Sequence, residues 1–167
     1  ELPAYRNVDY MIIQSEFVKE SMREMHYYHK VLPLGYPKLD KVIQTCRSGA
    51  RMPEAWRQVL EGRKSLMLNT SINRFLSDGE HMLKKLKLVF DTFKRQNRVA
   101  LIWRPHPLLE ATIRSIRPDL LEEYQSLTAD FMDSHIGIWD DTQDLTNTVA
   151  LADGYIGEDA TSVVNLF

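Results

Sequence analysis

The chain has 167 residues, 44% hydrophobic and 26% charged, with a formal net charge of −2, the make-up of a globular protein able to bury a sizeable core. A lone cysteine, Cys46, excludes an internal disulfide framework and fits a reducing compartment, and no apolar run approaches the ~20 residues that span a bilayer. Residues 119–167 hold eleven Asp and Glu and no Lys or Arg, but the basic residues before them are scattered or share one helix without interleaved aromatics, which argues against a nucleic-acid partner.

Asp9–Gln14 predicts a short buried strand, followed by a helix capped by Ser15 that carries Phe17, Val18, Met22 and Met25. His26 and His29 lie on that helix or just past it. No further ligand at suitable spacing makes them a zinc site. Lys30–Leu34 reads as a second strand, and Gly35-Tyr-Pro-Lys-Leu-Asp40 as the turn into a helix starting near Lys38. Residues 46–62 have the composition of a linker with a short amphipathic piece around Trp56 and Leu60. The expected domains are therefore 1–45 and 63–167.

Arg63–Thr70 predicts a fresh strand with Asn69, Thr70, Ser71 and Asn73 at its carboxyl end. Ser77-Asp-Gly-Glu80 has the pattern of a capping box. After it, Met82, Leu83, Leu86, Val89, Phe90 and Phe93 recur at helical spacing. Val99-Ala-Leu-Ile-Trp103 is a continuous apolar run of the kind buried on both faces of a parallel sheet, and it runs into Arg104-Pro-His106-Pro107. Ligands of open α/β sheets bind outside the carboxyl ends of the strands, where His106 stands between two φ-restricting prolines. The plainer alternative is a surface histidine at a strand end.

Leu108–Ile116 predicts a helix, and Pro118 opens another whose buried face is Leu120, Leu121, Tyr124 and Leu127. Ile136–Trp139 predicts a short strand. Asp140, Asp141 and Thr142 are cap candidates for a helix ending near Ala152, their carboxylates explained by a solvated helix start. Gly154–Gly157 is the last strand. It leads through Glu158, Asp159 and Ala160 to Thr161-Ser162 at the start of a terminal helix, where hydroxyls, free N–H groups and the helix dipole can form an anion site.

The fold class implied is α/β, a Rossmann-like parallel sheet with flanking helices. The order of Gly35–Asp40, Arg104-Pro-His-Pro107 and Asp159-Ala-Thr-Ser162 along these strands resembles the CDP-glycerol glycerophosphotransferase family of teichoic-acid and capsule synthesis. That resemblance, covering about Asp9 to Phe167, implies a GT-B architecture of two Rossmann-like domains facing a cleft. The chain would then hold the end of the amino-terminal domain and a nucleotide-binding domain truncated at its carboxyl end. The family's motif has arginine at Lys38, and tyrosine and serine at Ala160 and Thr161.

Carried over, the resemblance makes His106 the catalytic contact to the pyrophosphate of a CDP-alcohol, with Thr161 and Ser162 on phosphate oxygens. Arg104, Asp159, Asn69, Thr70, Gly35 and Lys38 complete the expected donor-binding positions. Fixed donors then offset the charge that gathers as CMP leaves. No cofactor or obligatory metal is expected, because no Asp, Glu and His stand at metal-ligand spacing. The acceptor would be a polyol phosphate or glycan, and the family's base is a histidine of the amino-terminal half. Glu1 and the uncapped end at Phe167 lead us to expect a cytoplasmic segment of a longer protein, working at the inner face of the membrane through other parts and inactive alone. Two other functions fit the same pattern: a GT-B nucleotide-sugar transferase or epimerase, and a non-catalytic Rossmann-like interaction module.

Overall fold

The computed structural model describes residues 3–158 and 161–167. Contacts divide the chain into residues 1–41 and 42–167.

In the first unit, Met11–Ile12 (β1) and Val31–Leu32 (β2) pair in parallel, with Glu16–Ser21 (α1) between them. The Ser15 side chain caps α1 by accepting from the Val18 N–H, as its position before the apolar residues predicts. The expected buried strand is corrected: two residues pair, and Ile12 is 59% exposed. The helix also stops at Ser21, short of Met25, with Phe17 open to solvent. His29 falls in a 3-10 turn, Tyr28–Lys30, outside that helix. Gly35 has φ +98°, which a side chain would strain, and Pro37–Ser48 (α2) starts in this unit and ends in the next.

In the second unit the chain runs through Glu54–Leu60 (α3), Lys64–Thr70 (β3), Ile72–Lys94 (α4), Val99–Pro105 (β4), Leu109–Ile116 (α5), Leu121–Asp133 (α6), Gly137–Trp139 (β5), Leu145–Leu151 (α7) and Gly154–Ile156 (β6). The four strands form a parallel sheet in the order β5-β4-β3-β6. Alternation along β4 sends Leu101 and Trp103 to a core with α4, α5 and α6, and Ala100 and Ile102 to a core with α3. This is a Rossmann-like α/β unit with helices on both faces, and β4 is apolar from Val99 to Trp103 because both faces are covered.

Trp103 is the centre of the larger core, fully buried and within 4.9–6.3 Å, ring to ring, of Phe90, Trp139, Phe131 and Tyr124. Burying each such side chain contributes about 1.5–3 kcal/mol. The expected linker over 46–62 is partly core: Trp56 and Leu60 of α3 are buried against Ala100, Ile102 and Ile138. At the amino-terminal end of the sheet, the Arg63 guanidinium donates to the carbonyls of Val59, His135, Val99 and Ile136.

The capping box at Ser77 is also corrected. Helix α4 starts earlier, at Ile72, and bends at Asp78, whose φ −154° and ψ 64° are non-helical. The Ser77 hydroxyl donates back to the Arg74 carbonyl, while Glu80 pairs with Arg117. The cap of α7 is Asp144, which accepts from the Asn147 N–H, rather than Asp140, Asp141 or Thr142. The expected terminal helix at Thr161 is a single 3-10 turn, Val164–Leu166.

Candidate functional site

Two strand ends build the site. β4 closes on Pro105, which has no N–H to continue the ladder, and the next amide, His106 N–H, donates to the Thr70 carbonyl at 2.9 Å. The ring then turns back on its own loop, its Nδ1 accepting from the Leu108 N–H at 3.1 Å. A neutral imidazole that accepts at Nδ1 carries its proton at Nε2. His106 is exposed and thus presents an N–H donor at the carboxyl end of the sheet.

Beside it, Trp103 and Trp139 are in register, so Arg104 and Asp140 leave neighbouring strands at the same level. They form an ion pair of 2.6 Å with side chains 12% and 0% exposed. Asp140 also accepts from the Thr142 N–H and hydroxyl and from the Thr148 hydroxyl, and Arg104 further donates to the Thr142 hydroxyl and carbonyl. Arg104 was expected to bind the donor, and its guanidinium is instead held by Asp140 and Thr142. Asp140 is a buried counter-ion rather than a solvated cap.

Between these loops lies a cavity of about 200 Å³ bordered by Arg104 to Pro107, Glu110, Tyr124 and Trp139 to Thr142. Burial pushes the Tyr124 phenol up, so its O–H stays neutral. Among the described residues of the expected site, only Arg104 and His106 border this cavity. Asn69 spends its side-chain amide on the Arg104 carbonyl, and buried Thr70 accepts from the Trp103 indole N–H at 3.3 Å. Both secure β3 to β4. Gly35 and Lys38 border a different cavity, with Ile12, Ile13, Val18 and Tyr36, within the first unit.

The loop after β6 answers the anion-site expectation differently. The Thr161 hydroxyl lies 3.2 Å from the Tyr155 hydroxyl and donates to the Glu158 carbonyl at 3.4 Å, while Ser162 is exposed in a turn with no helix beginning there. Asp159 lies outside the described residues. The Glu158 carboxylate is buried and accepts from both the N–H and the hydroxyl of Ser71, the residue that opens α4. Strand order reverses between β3 and β6, the crevice in which open α/β sheets bind ligands, beside the tip of the helix that follows the first strand. Here the chain's own carboxylate stands at that tip.

Sequence reasoning missed Glu110, Tyr124, Trp139 and Asp141 as cavity residues. Tyr124 and Trp139 carry only a core signature in sequence, and Asp141 looks like any helix-start acid. Among the described residues no three His, Cys, Asp or Glu side chains group as metal ligands, and no helix is long and apolar enough to cross a membrane. No protein-family model, curated protein or solved structure matches the chain.

Proposed function

We propose that the Rossmann-like unit is the donor-binding part of a transferase that passes glycerol phosphate, or a related polyol phosphate, from a CDP-alcohol to a hydroxyl acceptor in teichoic-acid or capsule synthesis. The observation that carries this reading is His106, a strand-end imidazole whose Nδ1 is held by Leu108 and whose Nε2–H is free to meet a phosphoryl oxygen beside a cavity. The motif order from Gly35 to Ser162 supports it as well.

In such a transfer the acceptor oxygen attacks the phosphorus carrying the alcohol, the bond to the bridging oxygen breaks, and CMP leaves with that oxygen. Charge gathers on the oxygens around phosphorus, and a fixed N–H there lowers the barrier. With Nδ1 taken by the Leu108 N–H, His106 serves as a donor through Nε2, so the acceptor's proton goes to a base elsewhere, in the second half of a GT-B arrangement. The protein would work in the cytoplasm, at the inner face of the membrane, with no metal needed for the His106 contact.

A nucleotide-sugar transferase is the second reading, favoured by the carboxylates of Glu110 and Asp141 beside the same cavity. Calorimetric titration of the chain with CDP-glycerol, CMP and UDP-glucose separates the two. CDP-glycerol binding that His106→Ala weakens about tenfold, the worth of one hydrogen bond to a charged oxygen, supports the first. Preference for the uridine nucleotide overturns it.

A further inference from the structure

The cavity beside His106 has the wrong charge for a phosphate. Its one guanidinium, Arg104, is committed to Asp140 and Thr142, leaving no uncommitted Lys or Arg among the residues that border it. Besides Asp140, which is paired with Arg104, two further carboxylates border it. The Asp141 carboxylate is exposed and, among the described residues, takes part in no hydrogen bond or ion pair. Glu110 uses Oε1 on Arg114 and Gln125, both at 2.8 Å, and keeps Oε2 open. An anion placed here would meet like charge at close range.

Apart from His106 and Thr142, the rest of the border is apolar and stiff: Pro105, Pro107, Trp139 and Tyr124. Trp139 is anchored 4.9 Å, ring to ring, from buried Trp103, and Tyr124 is 1% exposed, so both are fixed by the core behind them. A volume of about 200 Å³ is below the ~300–1,000 Å³ of pockets that enclose drug-sized ligands, the space of one small ring or short chain rather than of a whole nucleotide. Acceptor-only carboxylates need donors, and proline and aromatic surfaces need C–H groups to cover. A polyhydroxy compound supplies both, with O–H groups for Asp141 and Glu110 and carbon-bound hydrogens for the rings. The His106 Nε2–H at the rim is left for a phosphoryl oxygen outside the cavity.

We infer that this cavity binds a neutral polyhydroxy ligand, a sugar ring or short polyol, with Asp141 and Glu110 accepting from its hydroxyls and Trp139 packing against its carbon skeleton. Resting on the transferase reading for its place in a reaction, it receives the polyol end of donor or acceptor, and the cytidine diphosphate lies outside it.

The test follows the Trp139 indole N–H by NMR in the 167-residue chain, assigned by Trp139→Phe, while ribitol, glucose, inorganic pyrophosphate and CMP are added separately. Ribitol or glucose should shift that signal saturably, and Asp141→Asn, at an exposed position, should weaken the binding about tenfold with the rest of the spectrum unchanged. Ribitol against glucose distinguishes an open polyol from a sugar ring. Pyrophosphate shifting the Trp139 signal while both neutral ligands leave it still overturns the inference, as does a silent Trp139 with all four. CMP binding elsewhere with no response to neutral ligands sinks this inference and leaves the transferase reading standing. Neutral binding in a chain that ignores CMP and CDP-glycerol does the reverse.

Discussion

Arg104 and Asp140 stand 2.6 Å apart, Nη1 to Oδ2, at the ends of β4 and β5, with the Asp140 side chain wholly removed from solvent. Removing one member strands the other. Asp140→Ala should therefore cost about 3–5 kcal/mol in denaturant unfolding, whereas Arg104→Met combined with Asp140→Leu should cost clearly less. A single variant as stable as the parent would show that the pair is not what joins these loops.

β5 approaches β4 so closely at Gly137 that a Cβ there would lie 2.2 Å from the Leu101 carbonyl oxygen. Backbone cannot step aside as a side chain can. Gly137→Ala should destabilise by about 1–3 kcal/mol and slow association of any ligand in the neighbouring cavity through displacement of Trp139. Thermal melts and Trp139 indole shifts read the two effects.

The tautomer of His106 is measurable without a ligand. Its ring nitrogens should report a protonated Nε2 and an accepting Nδ1 in long-range nitrogen–proton spectra, because Leu108 N–H holds the latter. Replacement of Pro107, which shapes this loop, by Gly should loosen that preference. A proton found on Nδ1 in the parent chain would turn His106 from donor into acceptor and remove the basis of its proposed role.

Asp153 joins the start of β6 to β3. Lys64 beside it, together with the Ser65 N–H, holds its carboxyl below the usual carboxylate range. A carboxyl depressed in the folded state adds stability that is fully present above its unfolded value, ~3.9, and is lost as pH falls through the lower folded value. The stability gap between the parent and Asp153→Asn should thus be widest near neutrality and shrink below about pH 4. A gap that stays constant to strongly acid pH would show that the ion pair does not report on folding.

Much of the second unit was legible because its signals are long and redundant. The apolar run Val99–Trp103 and the stripe from Met82 to Phe93 each gave the right element, since burial on two faces and on one face leave different periodicities. Short elements failed where long-range contacts outweighed local chemistry. Ser77 looks like a cap, but Ile72–Ser77 is already helical; Asp140 looks like a cap, but Arg104, 36 residues earlier, claims it. His106 was legible as a strand-end residue. The direction of its proton was not, because that depends on a loop closing on the Leu108 amide.

The Ser71–Glu158 contact means that α4, the helix after the first strand of this unit, comes with its own stopper. A tethered carboxylate competes with any incoming phosphate at millimolar effective concentration or above, and it never diffuses away. A dinucleotide seated at that helix tip would therefore have to displace a residue of the chain itself.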